Sequence, residues 1–371
     1  MDRGVVGAAR LAVAAMAGIY AVLKILPSGD KVVLMSRLYS ATSADFAAVR
    51  AEITRQSPST TVVVLNHRNI GFLRVPAQML VEMYHLATSR ACITDSYMAA
   101  ISVLRHKDDV VVVQMWHALG AIKRFGLAAV GSAEGRPGGL ARVMRMHEGY
   151  DWVIAGGRRM VEPFAEAFGV EPVQVLPLGT PRVDRLVDDA ALQATRARVR
   201  AAYPTLGERP VVLYAPTFRT GEPARVDAVL DAAGTGEFDV VVTLHPLDRR
   251  TFVGRPGVLQ DARFSTLDWL LVADHVITDY SAVVFDAAIV GVPLYFFAYD
   301  LDEYRDRRGF FVDYEADMPG PISADAAELM RCIRAGPAGS DRLSAFRDAF
   351  IDWTDGSCTR RIVELVVGGR S

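Results

Sequence analysis

Cysteine is scarce in this chain. Cys92, Cys332 and Cys358 are its only three, too few and too scattered for a disulfide framework, and no CxxC pair offers a zinc site. A reducing cytosol is the expected setting. An excess of either charge is missing as well. The formal net charge is −2, which leaves no overall basic field to hold nucleic acid. Lysine is almost absent, so arginine carries nearly all the cationic charge; that suits phosphate recognition and follows more simply from codon usage. There is no internal repeat of solenoid period and no low-complexity segment. No cluster of acidic residues suggests a metal site, and no cofactor is expected.

What is present describes a globular chain. Its 371 residues, 51% hydrophobic and 23% charged, exclude wholesale disorder and favour two domains of ordinary size. The first residues stand apart. From Val5 to Leu26 the chain is apolar except for Arg10 and Lys24. The uninterrupted core, Leu11 to Leu23, falls short of the roughly 20 residues of a spanning helix. Arg10 inside the apolar stretch and the lack of a small-residue cleavage site argue against a secretory signal. Residues 1–29 are therefore expected to form a helix at a membrane interface with cationic ends that snorkel; the plainer alternative is a buried helix of the first domain.

Beyond residue 30, short apolar runs alternate with helix-like stretches in two rounds. The first round places strands at 31–35, 61–65, 91–94, 110–114, 152–155 and 173–178. The second follows the turn-rich "YPTLGERP" and contains "VVLYAP", "DVVVTLHP", "GVLQD", "HVITD" and "PLYFFA". Such alternation predicts parallel sheets covered by helices, that is, two doubly wound α/β units over 30–203 and 204–371. The tail from Ser340 to Val367 reads as mostly helix able to return to the first unit. Ligands of open α/β sheets bind beyond the carboxyl ends of the strands, and every polar motif in the chain falls at such an end.

Four of these ends carry candidate chemistry. After "HVIT" come Asp279, Tyr280, Ser281 and Ala282. Either Asp279 or Ser281 simply caps the following helix, or the helix start seats a phosphate. Asp286, one turn on from Ala282, can hold a ribose hydroxyl. "LYAPTFR" places Thr217 and Arg219 beyond another strand, where the guanidinium either clamps a pyrophosphate or lies on the surface. "TLHP" puts His245 at a strand end, as a phosphate partner when cationic or as a turn cap. In the first round, "VVVQMWHALGAIKRFG" ends a strand on Trp116 and His117, a histidine that is either a general base or structural.

Taken together these segments resemble the CDP-glycerol glycerophosphotransferase family, the teichoic-acid-type alditol-phosphate transferases of bacteria. "ITDYSAVVFDAAIVGVPLYFFAYDLDEY" is similar to the family signature, and "VLYAPTFR", "LHP", "LPLGTPRVD" and "DGSCTRRIV" match shorter motifs. "SRLYSATSADF", "ATSRACITDSYMAAISVLRHKDDVVVVQMWHALGAIKRFG" and "MRMHEGYDWVIAGG" resemble the short, primase-like members. The resemblance implies a GT-B fold of two Rossmann-like domains facing a cleft. It implies CDP-glycerol or a related CDP-alditol as donor and a lipid-linked acceptor at the cytoplasmic face of the membrane. By the family pattern His117 is the base and His245 contacts phosphate. Ser281 and its helix start hold the donor's pyrophosphate, and Asp286 holds its ribose. Arg219 follows the same pattern less closely. There are two departures: Trp116-His117-Ala118-Leu119-Gly120 replaces the W-H-G-T-P of many members and resembles the variant of the short ones, and Ala282 stands where the signature has a second serine, removing a hydroxyl but keeping the backbone N–H. The rival expectations are a GT-B glycosyltransferase, a CDP-ribitol-type transferase, or a non-catalytic nucleotide-binding membrane adaptor. The sequence leaves the oligomeric state open.

Overall fold

A computed structural model describes residues 3–38, 41–67, 74–133, 135, 137–219, 224–245, 248, 250–252, 254–336 and 340–368. Pro246 of the "LHP" motif lies outside them. The chain divides into two compact units, one of residues 1–119, 124–184 and 355–371, the other of residues 120–123 and 185–354.

In the first unit, β1 (Lys31–Ser36), β2 (Thr61–Asn66), β3 (Ala91–Thr94), β4 (Val111–Gln114), β5 (Trp152–Ile154) and β6 (Val175–Leu176) form one sheet in the order β2-β1-β3-β4-β5-β6. Every pair is parallel. The strands read as continuous β-branched runs because helices cover both faces and leave no solvated side. The helix Ala44–Gln56 is fixed at its start by Ser43, whose hydroxyl accepts from the Phe46 N–H, an ordinary N-cap. It lays Phe46, Val49 and Ile53 on Val32, Leu34, Ile93 and Val113.

The tail closes this core. Ser340–Phe350 belongs to the second unit, whereas the helix Cys358–Val367 returns to the first and buries Ile362, Val363 and Val366 in the same cluster. Each such side chain contributes about 1.5–3 kcal/mol by leaving water. The start of the returning helix is held by Asp184, whose carboxylate accepts from the Cys358 and Thr359 N–H groups at 2.8 and 2.7 Å and from the Thr359 hydroxyl at 2.6 Å. A carboxylate at this end satisfies orphan donors and meets the positive end of the helix dipole. Gly179, at φ +73°, lets the chain pass beside the helix, since a Cβ there would stand 2.5 Å from the Cys358 sulfur. "LPLGTPRVD" and "DGSCTRRIV", far apart in sequence, are thus two halves of one joint.

The second unit holds β7 (Val211–Ala215), β8 (Asp239–Val242), β9 (Val258–Leu259), β10 (His275–Thr278), β11 (Leu294–Phe297) and β12 (Ile322–Ser323), again all parallel, in the order β12-β11-β10-β7-β8-β9. From β7 the chain winds outward through β8 and β9, then returns to build β10, β11 and β12 on the other side. This is the doubly wound order, and its switch point lies between β7 and β10. β12 has no counterpart among the sequence-predicted strands: two residues are too few to show a periodicity. Residues 185–203, assigned by sequence to the first domain, fall in the second unit, where the helix Asp189–Ala202 packs against Thr266–Leu270.

The N-terminal helix runs from Arg3 to Leu23. It is almost wholly exposed, and it is long and apolar enough to cross a membrane. Val5, Leu11, Ile19 and Val22 all face outward, so the expectation of a buried core helix is not met. Its last turn is different. Tyr20 is buried, and its phenol meets His106 Nδ1 at 2.8 Å. The helix packs on Val75–Ala87, which itself exposes Val75, Leu80, Val81 and Tyr84.

Candidate active-site residues

At the switch point of the second unit, Arg219 follows β7 and Asp279 ends β10, brought side by side because those strands are neighbours. The Arg219 guanidinium is buried and committed. Its Nη1 donates to Asp279 Oδ2 at 2.7 Å and to the Thr217 carbonyl at 3.0 Å, while Nε and Nη2 grip the Asp300 carboxylate at 2.6 and 2.9 Å. The side-on fork to Asp300 is the strong bidentate geometry that arginine alone offers. Asp279 Oδ1 also accepts from the Thr217 and Tyr280 N–H groups at 2.8 and 2.6 Å. The Tyr280 phenol donates to Asp300 at 2.8 Å, and the Tyr314 phenol donates to the Asp279 carbonyl at 3.0 Å.

Aromatic rings wall this network in. Tyr280 stacks on Tyr304 with ring centroids 4.0 Å apart, and the guanidinium lies 4.7 Å from the Tyr299 ring. Burial pushes the Asp300 carboxyl up, but the Arg219 bonds and charge and the Tyr280 phenol outweigh it and leave Asp300 below the usual carboxylate range. Carboxylate and phenol at this strand–helix hand-over therefore build a rigid frame. Asp279 and Arg219 are framing groups here, turned toward each other rather than outward.

The frame fixes the next turn. Ala282 is the N-cap of the helix Val283–Val290 and makes no side-chain cap bond. The Ser281 hydroxyl accepts from the Val283 N–H at only 3.4 Å, a weak bond by length. Both residues are partly exposed, and the next two N–H groups of the helix are held at long range too, Val284 by the Ser281 carbonyl at 3.4 Å and Phe285 by the Ala282 carbonyl at 3.2 Å. Asp286, in the first helical turn, is buried and engaged by its surroundings. Thr217 is buried, and its hydroxyl has no hydrogen-bond partner. His245, beyond β8, is exposed, and its ring lies 5.0 Å from that of Phe218. The second unit thus gathers Thr217, Arg219, His245, Asp279, Ser281, Ala282 and Asp286 at the carboxyl edge of one sheet.

In the first unit, His117 lies just past β4. Its Nδ1 is 2.9 Å from the Asp95 carbonyl. A carbonyl only accepts, so Nδ1 carries the proton in the neutral ring and Nε2 keeps its lone pair. Burial pushes the His117 pKa down to about 4, helped by the Arg182 charge and opposed by the Asp95 carbonyl. The ring is neutral at pH 7, as a base must be. Asp95 ends β3, and burial raises its carboxyl to about 6 against the pull of hydrogen bonds from Ser36 and Ser96. Gln114 ties the loop down, donating to the Ser96 carbonyl at 3.2 Å and accepting from the Trp116 N–H at 2.9 Å. Gly156 donates its N–H to the Leu119 carbonyl at 2.8 Å; a Cβ on Gly156 would stand 2.5 Å from that oxygen.

Sequence reasoning singled out neither Asp300 nor Asp95. Asp300 lay within the recognised signature, but nothing local marks it as the partner of an arginine 81 positions earlier. Among the described residues no group of three His, Cys, Asp or Glu side chains is arranged to hold a metal ion.

Comparison with known proteins agrees with this organisation. The sequence model for CDP-glycerol:poly(glycerophosphate) glycerophosphotransferase matches residues 19–368. The chain is 32% identical to a teichoic acid ribitol-phosphate primase of Bacillus spizizenii, over 91% of this chain and 90% of that protein. It is 25% identical to a teichoic acid glycerol-phosphate primase of Bacillus subtilis, over 85% of this chain and 81% of that one. A solved structure of the wall teichoic acid polymerase TagF shares the fold at a TM-score of 0.75 and 19% identity, covering 99% of this chain and 98% of the other. The chain therefore belongs to the CDP-glycerol:poly(glycerophosphate) glycerophosphotransferase family and is a transferase.

Proposed function

We propose that this protein moves an alditol phosphate from a CDP-alditol to the hydroxyl of a lipid-linked acceptor, releasing CMP, in the synthesis of a teichoic-acid-like envelope polymer. The observation that carries the reading is the neutral His117, with Nδ1 bound to a carbonyl and Nε2 left as the proton acceptor. The acceptor oxygen attacks the donor's β-phosphorus and gives its proton to His117 Nε2. The bond from that phosphorus to the oxygen bridging to CMP breaks, and CMP leaves with the electron pair. The helix start at Ser281–Val283 and a cationic His245 stabilise charge on the phosphates. Asp286 holds the ribose, and Thr217 offers its unpartnered hydroxyl to the donor. Arg219 and Asp279 act indirectly by fixing the turn that presents Ser281.

The GT-B description belongs to the same reading; two doubly wound parallel sheets and a fold likeness along the whole chain support it. So does placement at the cytoplasmic face of the membrane, supported by the exposed apolar surfaces of Arg3–Leu23 and Val75–Ala87. Both glycerol and ribitol chemistry have support, from the family match and from the B. spizizenii relative. CMP release, measured with CDP-glycerol and CDP-ribitol in parallel and with lipid-linked acceptor present, identifies the donor. Absence of CMP from either donor, with binding intact, would instead favour the nucleotide-binding adaptor.

A further inference from the structure

The polar ends of the two sheets leave one feature unused: Trp116 adopts φ +59°, one of three non-glycine residues in the left-handed region among those described. A bulky side chain seldom sits there, and such strain persists only where surrounding contacts enforce it. The contacts are visible. The Trp116 N–H is held by Gln114 Oε1, and the indole stacks on Phe125 with centroids 4.9 Å apart and an 18° interplanar angle. Phe168 meets it edge-on at 5.1 Å, and His147 lies beyond at 6.1 Å. Toward the sheet edge the indole meets His117, with ring centroids 4.0 Å apart and planes inclined by 39°. Phe125 and His117 both pack on this ring.

We propose that Trp116 is a positioning residue for His117: its indole fixes the imidazole and stabilises the imidazolium formed when His117 accepts a proton. The inference rests on His117 being the base. The charged form is otherwise poorly served. Arg182, on the helix Pro181–Val187, opposes it, with Asp45 3.8 Å from the Arg182 guanidinium. From β3 the Asp95 carbonyl holds Nδ1. The Asp95 carboxyl, beside it in sequence, is buried with Oδ1 unpartnered. His147 stands behind the indole, its Nδ1 3.2 Å from the Tyr150 phenol. An aromatic face attracts a cation far more than a neutral ring, and indole does so best. The gain therefore falls on the protonated state reached during transfer, the kind of interaction that raises kcat. Because the indole packs on Phe125 and Phe168 as well as on the imidazole, it also limits imidazole rotation and keeps Nε2 aimed.

The test is a graded pair, Trp116→Phe and Trp116→Leu, in the full chain. Carbon-13 NMR of labelled histidine, with His117 assigned by its own substitution, reads the ring's pKa without reference to activity. Leucine should lower the His117 pKa by about half a unit, and phenylalanine by less. The acid limb of kcat/KM should move to lower pH by the same amount, and kcat should fall about threefold, with the KM for the CDP-alditol unchanged. A Trp116→Leu protein that is folded but keeps the wild-type His117 pKa overturns the proposal, whatever its melting temperature. If leucine prevents folding, an unshifted pKa in Trp116→Phe overturns it equally. His117→Ala separates the two readings: full turnover in that variant removes the base assignment, while the NMR shift still decides whether the indole supports the imidazolium.

Discussion

Replacing Arg219 by leucine tests the central claim about the second unit, that this residue frames the site and does not itself clamp the donor. The substitution deletes four hydrogen bonds, to Asp279, to Asp300 twice and to the Thr217 carbonyl, and leaves the buried Asp279 and the half-buried Asp300 without their shared cation. Breaking a buried ion pair by removing one partner costs about 3–5 kcal/mol. In a unit of about 170 residues each kcal/mol moves the melting temperature by about 2–4 °C, so the loss should be about 10 °C by calorimetry or circular dichroism. The pH dependence has a definite sign. In the native protein Asp300 is depressed, so its contribution is present above its unfolded value of 3.8 and is lost as pH falls through the lower folded value. Without Arg219, burial raises Asp300 against only the Tyr280 phenol and a backbone hydrogen bond, so the variant is penalised near neutrality and relieved by protonation. The gap between wild type and variant should therefore narrow from pH 7 to pH 5. Arg219→Leu/Asp300→Leu should recover part of the loss, because Asp300 is then no longer an unpaired charge, while Asp279 keeps the Thr217 and Tyr280 N–H groups. A melting temperature within 2 °C of wild type, together with abolished CDP-alditol binding, would show that Arg219 serves the ligand directly and that the frame argument is wrong.

Three further outcomes follow from the same geometry. Asp286→Ala should weaken CDP-alditol binding by at least about tenfold, the loss of a charge-assisted hydrogen bond, as read by calorimetric titration; an unchanged Kd in folded protein takes Asp286 out of the site. His117→Ala should lower kcat by at least ~10²-fold with donor affinity little altered, whereas a fall in melting temperature with most turnover retained would mark the histidine as structural. Removing residues 2–17 should release the protein from membrane fractions without unfolding it. The cut spares Tyr20 and its bond to His106; a truncated chain that still sediments with membranes ends the anchoring idea, or moves it to the helix Val75–Ala87.

Much of this organisation is written locally. β-branched runs such as Val111–Val113 and Val240–Val242 announce parallel strands, because alternation of buried runs with helices is a property of neighbours in sequence. The habit of α/β sheets to expose function at carboxyl ends then picks out His117, Thr217, His245 and Ser281 without any coordinates. What the sequence by itself could not determine is which of these polar groups face each other and which face a ligand. Arg219 reads equally as a phosphate clamp or a surface residue until β7 and β10 lie side by side and Asp300 closes on it from β11's end. The proton on His117 is assigned only once the Asp95 carbonyl, 22 residues earlier, is found against Nδ1. Asp184 becomes a cap for Cys358 and Thr359 only because the tail returns to the first sheet. Backbone preference is decided within a few residues. Pairing of buried charges and choice of tautomer depend on strand order and chain return, which bring residues together without regard to their distance along the chain.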